Sequence, residues 1–226
     1  MIVGLPSISV GRVLKGAASG VAICLLATAC GGDEEPEPKR VVAAQQCDDT
    51  LSREAAHALE TVLKTKTFDD APTGGLERTV DALVADYDRG QRRSPTRRLC
   101  RASPATSSDA ITIAFHLYRE TELARGDRVA SLHPYAMGVE ALSGPKRARL
   151  FVRCTSPRLQ ESDKRPAPVM GELNFIRSDL PDTASVREAH LTILHSVTLA
   201  VVRKLGCEND AGLDAKPVFR PGNETG

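Results

Sequence analysis

Along the chain, apolar side chains recur with two different periods, and each period predicts a different kind of element. From Ser52 the residues Ala55, Leu59, Val62 and Leu63 fall on one stripe, which predicts an amphipathic helix with Ser52 at its N-cap. Thr73-Gly74-Gly75 opens a second helix, in which Leu76, Val80, Leu83, Val84 and Tyr87 share a face and which Gly90 stops. Both helices are one-sided and are expected to cover something. Ile111, Ile113, Phe115 and Leu117 alternate with Thr112, Ala114, His116 and Tyr118, the period-2 pattern of a strand with one buried face. Arg147 to Cys154 repeats that pattern, with Ala148, Leu150, Val152 and Cys154 on one side and Arg147, Arg149, Phe151 and Arg153 on the other. Shorter strands are predicted over Arg97–Arg101, Tyr135–Leu142 and Met170–Ile176, and Ser143-Gly144 reads as a turn. The last element is a helix over Ser185–Leu205 with Ser185 and Glu188 at capping-box spacing, Arg203 and Lys204 in its last turn, and Gly206 as a left-handed cap. Its apolar residues spread round much of the circumference, so it is expected to be the most buried helix. Alternating strands suit an antiparallel sheet rather than a doubly wound parallel one. The predicted fold is α+β, a two-layer arrangement of about four to five strands with two N-terminal helices and one long C-terminal helix on one face.

Composition changes the picture at the N-terminus. Arg12 and Lys15 precede an apolar run over Gly16–Ala29 that is too short to span a bilayer and is followed by Gly31-Gly32 and three acidic residues. The run ends in Ala27-Thr28-Ala29-Cys30, which resembles the bacterial lipobox, with Ala27 where a leucine is usual. That resemblance implies cleavage after Ala29 and acylation of Cys30; the alternative is an ordinary secreted chain cut after Ala29 in which Cys30 is a free or paired thiol. The expected organisation is a signal peptide over 1–29, a flexible tether over 30–46, one domain over 47–207 and an extended tail over 208–226. A lipid-anchored location on the extracytoplasmic side of a membrane follows from it. Removing the signal takes away two basic residues and leaves 30 − 2 = 28 against 29 acidic ones, a net charge of −1. Such a balance offers nothing to nucleic acid. The absence of tryptophan disfavours a carbohydrate-stacking surface.

Cys47, Cys100, Cys154 and Cys207 remain beyond the anchor, an even number in an exported chain, which predicts two disulfides. Three connectivities are open, and the preferred one pairs Cys47 with Cys100 and Cys154 with Cys207. No cysteine has zinc-site spacing, and no phosphate-cradling, dinucleotide or nucleophile-elbow motif occurs, so no metal, cofactor or catalytic residue is predicted. His190 and His195 lie five residues apart, about 140° round a helix, and point too far apart to chelate one ion; one is expected at the surface and the other partly buried.

One surface feature stands out. If Cys154 points inward, the pleat sends Arg147, Arg149 and Arg153 to the wet face, and the segment carrying Arg92, Arg93, Arg97, Arg98 and Arg101 adds to them. This predicts a face for an anionic partner, either a phospholipid headgroup, an acidic wall polymer or an acidic protein patch.

The lipobox, the acidic Pro-containing tether, four dispersed cysteines and the stretch from Arg187-Glu188-Ala189-His190 to Gly206-Cys207-Glu208-Asn209 are similar to small surface lipoproteins of actinomycetes. The element order resembles the PsbP-like α/β sandwich, which implies a binding or accessory role by analogy. The expected function is therefore a membrane-anchored binding or accessory module. The alternatives are an enzyme whose site is assembled from residues distant in sequence, and a purely structural envelope component.

Overall fold

In the computed structural model these periodicities become, in chain order, β1 (Arg40–Val41), a 3-10 turn (Ala43–Gln45), α1 (Arg53–Leu63), β2 (Phe68–Asp69), α2 (Gly75–Asp88), β3 (Arg97–Ala102), β4 (Ala110–Leu117), α3 (Glu120–Gly126), β5 (His133–Tyr135), β6 (Glu140–Ser143), β7 (Arg147–Cys154), β8 (Ala167–Ile176), α4 (Ala184–Leu205) and a 3-10 turn (Glu208–Gly212). The structure describes residues 39–222 apart from Ala71, Arg92, 127–130 and 177–178; the signal segment, Cys30 and the first part of the tether lie outside the described residues. Residues Pro38–Gly226 form one compact unit.

The fold is α+β. Six strands make one antiparallel sheet in the order β3-β4-β8-β7-β6-β5, and β1 and β2 make a separate two-stranded one. The sixth strand comes from the stretch Tyr135–Leu142, read as one strand and found as two. Gly138, at φ 60°, reverses the chain between β5 and β6, where a Cβ would stand 2.6 Å from the Phe151 carbonyl oxygen. Ser143-Gly144 turns β6 into β7, with the Gly144 N–H donating to the Arg147 carbonyl at 2.9 Å.

α4 is buried on nearly every side and lies across β6, β7 and β8, as its unstriped apolar pattern requires. Gly171 lets it approach: a Cβ there would sit 2.8 Å from Phe115 Cε1 and 3.0 Å from Thr198 Oγ1. α2 covers β3 and β4 beside α4, whereas α1 packs on α4 rather than on the sheet. Ile111, Ile113, Phe115, Leu150, Val152, Leu173, Leu194 and Val201 belong to the core between sheet and helices. The predicted cap of α4 is displaced. Thr183, two residues earlier than Ser185, accepts the Val186 N–H, while Gly206 takes the left-handed position at φ 74° as expected.

The other sheet face is not uniformly wet. At one end Tyr118, Leu132, Leu142, Phe151 and Met170 form a second apolar cluster beneath Leu123 of α3, with Tyr118 and Phe151 edge to face at 5.1 Å. His116, opposite Met170 and beside Glu122 of α3, is buried at this end, although it reads as the wet side of β4; Ala114, read the same way, is buried between Arg98 and Glu172.

Both expected disulfides are present. Cys47–Cys100 and Cys154–Cys207 have Cα atoms 5.0 and 5.1 Å apart, and each closes 53 residues of chain. The first ties the segment before α1 to β3; the second ties the end of α4 to the end of β7.

The ends of the unit differ from expectation. Val41 and Ala43 are buried and Gln46 donates through Nε2 to the Asp69 carbonyl at 2.9 Å, so the packed chain reaches back into the stretch read as tether. The predicted extended tail instead turns after Cys207, buries Leu213, and pairs with the β5 edge through a bridge between Tyr135 and Pro221. Phe219 stacks edge to face on Tyr135 at 6.2 Å. A free sheet edge is thereby covered by the chain's own end.

Candidate anion-binding face

The pairing of β3, β4, β8 and β7 decides which arginines share a surface. Arg149 stands opposite Glu172, Glu172 opposite Ala114, and Ala114 opposite Arg98. One row further along, Arg147 stands opposite Asn174, Asn174 opposite Thr112, and Thr112 opposite Arg101. Cross-strand partners point to the same side, so these eight residues form two parallel rows on the face away from α4. With strands about 4.8 Å apart and two residues of rise between rows, the four arginines mark the corners of a patch roughly 14 Å by 7 Å.

A bulge makes this possible. The register of β3 against β4 shifts between Arg98 and Cys100, leaving Leu99 as the extra residue. Simple alternation puts Arg98 and Arg101 on opposite sides, because their separation is odd. The bulge brings both to the wet face and lets Leu99 and Cys100 be buried together.

The sequence-predicted arginines therefore separate into two groups. Arg147, Arg149 and Arg101 lie on the patch. Arg97 does not: it points to the helix side, where its Nη2 donates to the Asp86 carboxylate at 3.1 Å, and Asp86, 0% exposed, is also paired with Arg89. Arg153 stands at the far end of the outer face with Nη2 on Glu120 at 2.8 Å. Its hydrogen bond with Tyr118 and the Glu120 charge raise its pKa above the usual arginine value. Arg93 is engaged by Glu122 at 3.2 Å, and Arg92 lies outside the described residues.

On the patch itself the arginines are held by one particular nitrogen. Arg147 Nε donates to Asn174 Oδ1 at 2.9 Å and lies 3.2 Å from Glu172 Oε1; Arg149 Nε donates to the same Glu172 oxygen at 3.2 Å; Arg101 Nε donates to Ser103 Oγ at 3.1 Å. Among the described residues nothing accepts from their terminal nitrogens, and Arg98 meets no carboxylate. Three guanidinium groups are thus oriented from behind with their two-nitrogen ends unengaged. Of the patch residues, Glu172 and Asn174 were legible as the polar positions of an alternating strand. Arg98 was not separable from Arg97 without the bulge.

Arg98 and Arg101 also line a cleft of about 540 Å³ along the β3 edge, with Arg78, Asp69, Asp70 and Ser103, where Asp70 is neutralised by Lys39 at 3.2 Å. At the opposite corner Arg147 and Asn174 border a cleft of about 440 Å³ with Leu132, Pro145, Lys146 and Phe175.

The histidines take no part in the patch. His190 and His195 are both buried, contrary to the surface position expected for one of them, because the middle of α4 is enclosed on nearly every side. His190 Nδ1 lies 3.0 Å from the Gly144 carbonyl oxygen, which can only accept, so Nδ1 carries the proton. Desolvation lowers the pKa of His116, His190 and His195, opposed at His116 by the nearby Glu122 and at His195 by the Asp214 backbone and charge. His133, exposed, pairs with Asp182 at 3.2 Å. Among the described residues no three His, Cys, Asp or Glu side chains cluster to hold a metal ion, and no helix is long and apolar enough to cross a membrane.

Comparison with family models, with curated proteins and with solved structures finds no match to this chain.

Proposed function

We propose that this chain is a binding or accessory module, tethered through an acylated Cys30 to the extracytoplasmic side of a membrane, that engages an anionic partner with the outer face of its sheet. The observation that carries the binding half is a charge count: four guanidinium groups, Arg98, Arg101, Arg147 and Arg149, share the two rows with a single carboxylate, Glu172. In a chain whose expected mature net charge is −1, that excess is local and demands a counter-charge. Two disulfides support the location, because cystines persist in oxidising compartments and not in a reducing cytosol. The lipobox-like Ala27-Thr28-Ala29-Cys30 supports the tether. The likeness in element order to the PsbP-like sandwich agrees with an accessory role by analogy alone.

The test is sedimentation with isolated envelope fractions of the unit from Pro38 and of its R98Q/R101Q/R147Q/R149Q variant, at low and at high salt. Retention that falls with salt and is lost in the variant is the expected result. Equal retention of the two proteins refutes the face as the binding surface. Intact-mass analysis of the native protein tests the tether: a first residue other than acylated Cys30 refutes it.

A further inference from the structure

We propose that the occupant of the arginine face is a plane of phosphodiester groups, the headgroups of anionic phospholipids; this rests on the reading of the face as an anion-binding surface and names the anion. The way the arginines are held carries it. A guanidinium has five N–H donors, one on Nε and two on each terminal nitrogen. Arg101, Arg147 and Arg149 give only the Nε donor to the protein, at 3.1, 2.9 and 3.2 Å. Each is left with the two-nitrogen fork that meets two oxygens of one phosphate side by side. Elsewhere in the fold Arg89, Arg97, Arg153, Arg158 and Arg187 give terminal nitrogens to protein acceptors, while Arg93, off the patch, gives Nε to Glu122.

Spread selects a surface over a single ion. β3 and β7, separated by β4 and β8, carry the corners of the patch about 14 Å by 7 Å apart, and one phosphate cannot reach all four arginines across that span. A sheet of headgroups can. The exposed large apolar side chains among the described residues, Val42, Val139 and Val218, lie outside the two rows, so the patch has nothing to insert and meets the membrane at headgroup level. Glu172 then positions Arg147 and Arg149 from beneath, and a bound phosphate adds to its contacts instead of replacing them.

The measurement is vesicle co-sedimentation of the unit from Pro38, which contains the core and both disulfides. Vesicles of phosphatidylcholine doped with phosphatidylglycerol are compared with vesicles doped with a diacylglycerol hemisuccinate, charged through a carboxylate, at matched surface potential. Three proteins are run: the native sequence, R98K/R101K/R147K/R149K and R98Q/R101Q/R147Q/R149Q, each checked for an unchanged melting temperature. The native protein is expected to prefer phosphatidylglycerol, the lysine variant to bind it roughly tenfold more weakly although its charge is intact, and the glutamine variant not to bind. If the lysine variant binds like the native protein, or both vesicle types bind equally, the phosphate assignment is wrong and the anionic-partner reading survives. Unchanged binding by the glutamine variant overturns both. Displacement by inorganic phosphate, at concentrations where an equal ionic strength of chloride has no effect, assigns the face to free phosphate and overturns the lipid source.

Discussion

The carboxylate of Asp48 accepts the backbone N–H of Leu76 at 2.6 Å and that of Gly74 at 2.9 Å. α2 starts at Gly75 after a glycine that has no side chain to cap it, so its first N–H groups are satisfied by a residue from before α1. The negative charge also sits where the helix dipole is positive. Asp48 reaches that position because Cys47, Asp48 and Asp49 all take left-handed backbone angles, φ 56–58°, directly beside the Cys47–Cys100 disulfide. Asp48→Ala is expected to cost roughly 1–2 kcal/mol, and Asp48→Asn, which keeps an acceptor, less than half of that. Thermal or urea denaturation under non-reducing conditions measures both; equal stability of all three proteins refutes the cap.

The two disulfides close loops of equal length, 53 residues, so chain entropy assigns each the same stabilisation, about 2–4 kcal/mol. Packing does not separate them either: all four cysteines are buried, Cys47 4%, Cys100 7%, Cys154 0% and Cys207 8% exposed. C154A/C207A and C47A/C100A are therefore expected to lose similar amounts of stability. Chemical denaturation compares the two variants, and non-reducing peptide mapping recovers the 47–100 and 154–207 cross-links.

Burial holds His116, His190 and His195 below the ordinary histidine pKa in the folded chain. The unfolded chain, whose histidines titrate near 6.5, then binds more protons than the folded one as pH falls through that value. Stability contributed by the neutral histidines is present above about pH 6.5 and is lost as pH drops below it, with a limiting slope of about 4 kcal/mol per pH unit if all three take part. His190→Gln is expected to flatten part of this dependence. Melting temperatures across pH 5 to 8 decide the matter; a profile without a decline on the acid side contradicts it.

Gly171 is a residue of β8 that lies directly beneath α4. Adding a methyl there brings it within 2.8 Å of Phe115 and 3.0 Å of Thr198 Oγ1. Gly171→Ala is expected to destabilise by roughly 1–3 kcal/mol through overpacking, despite the higher strand propensity of alanine. An equilibrium unfolding curve with an unchanged midpoint shows that α4 can move away at no cost.

What the sequence by itself determined is whatever depends on a residue and its near neighbours. The stripe of Leu76, Val80, Leu83 and Tyr87 makes α2, the alternation of Arg147 to Cys154 makes β7, and the all-round apolar surface of Ser185–Leu205 makes the central helix, because helix and strand periods are local geometry. An even count of cysteines likewise predicts cystines. Only tertiary structure decided what depends on register and on distant partners. The bulge at Leu99 brought Arg98 beside Arg101 and left Arg97 with Asp86; the reversal at Gly138 made two strands of one; a place opposite Met170 and beside Glu122 buried His116; and pairing along β5 ordered a tail whose composition reads as loose. A slip of one residue in a strand exchanges its two faces, and no side-chain pattern within β3 alone records which face the neighbouring strand and helix will claim.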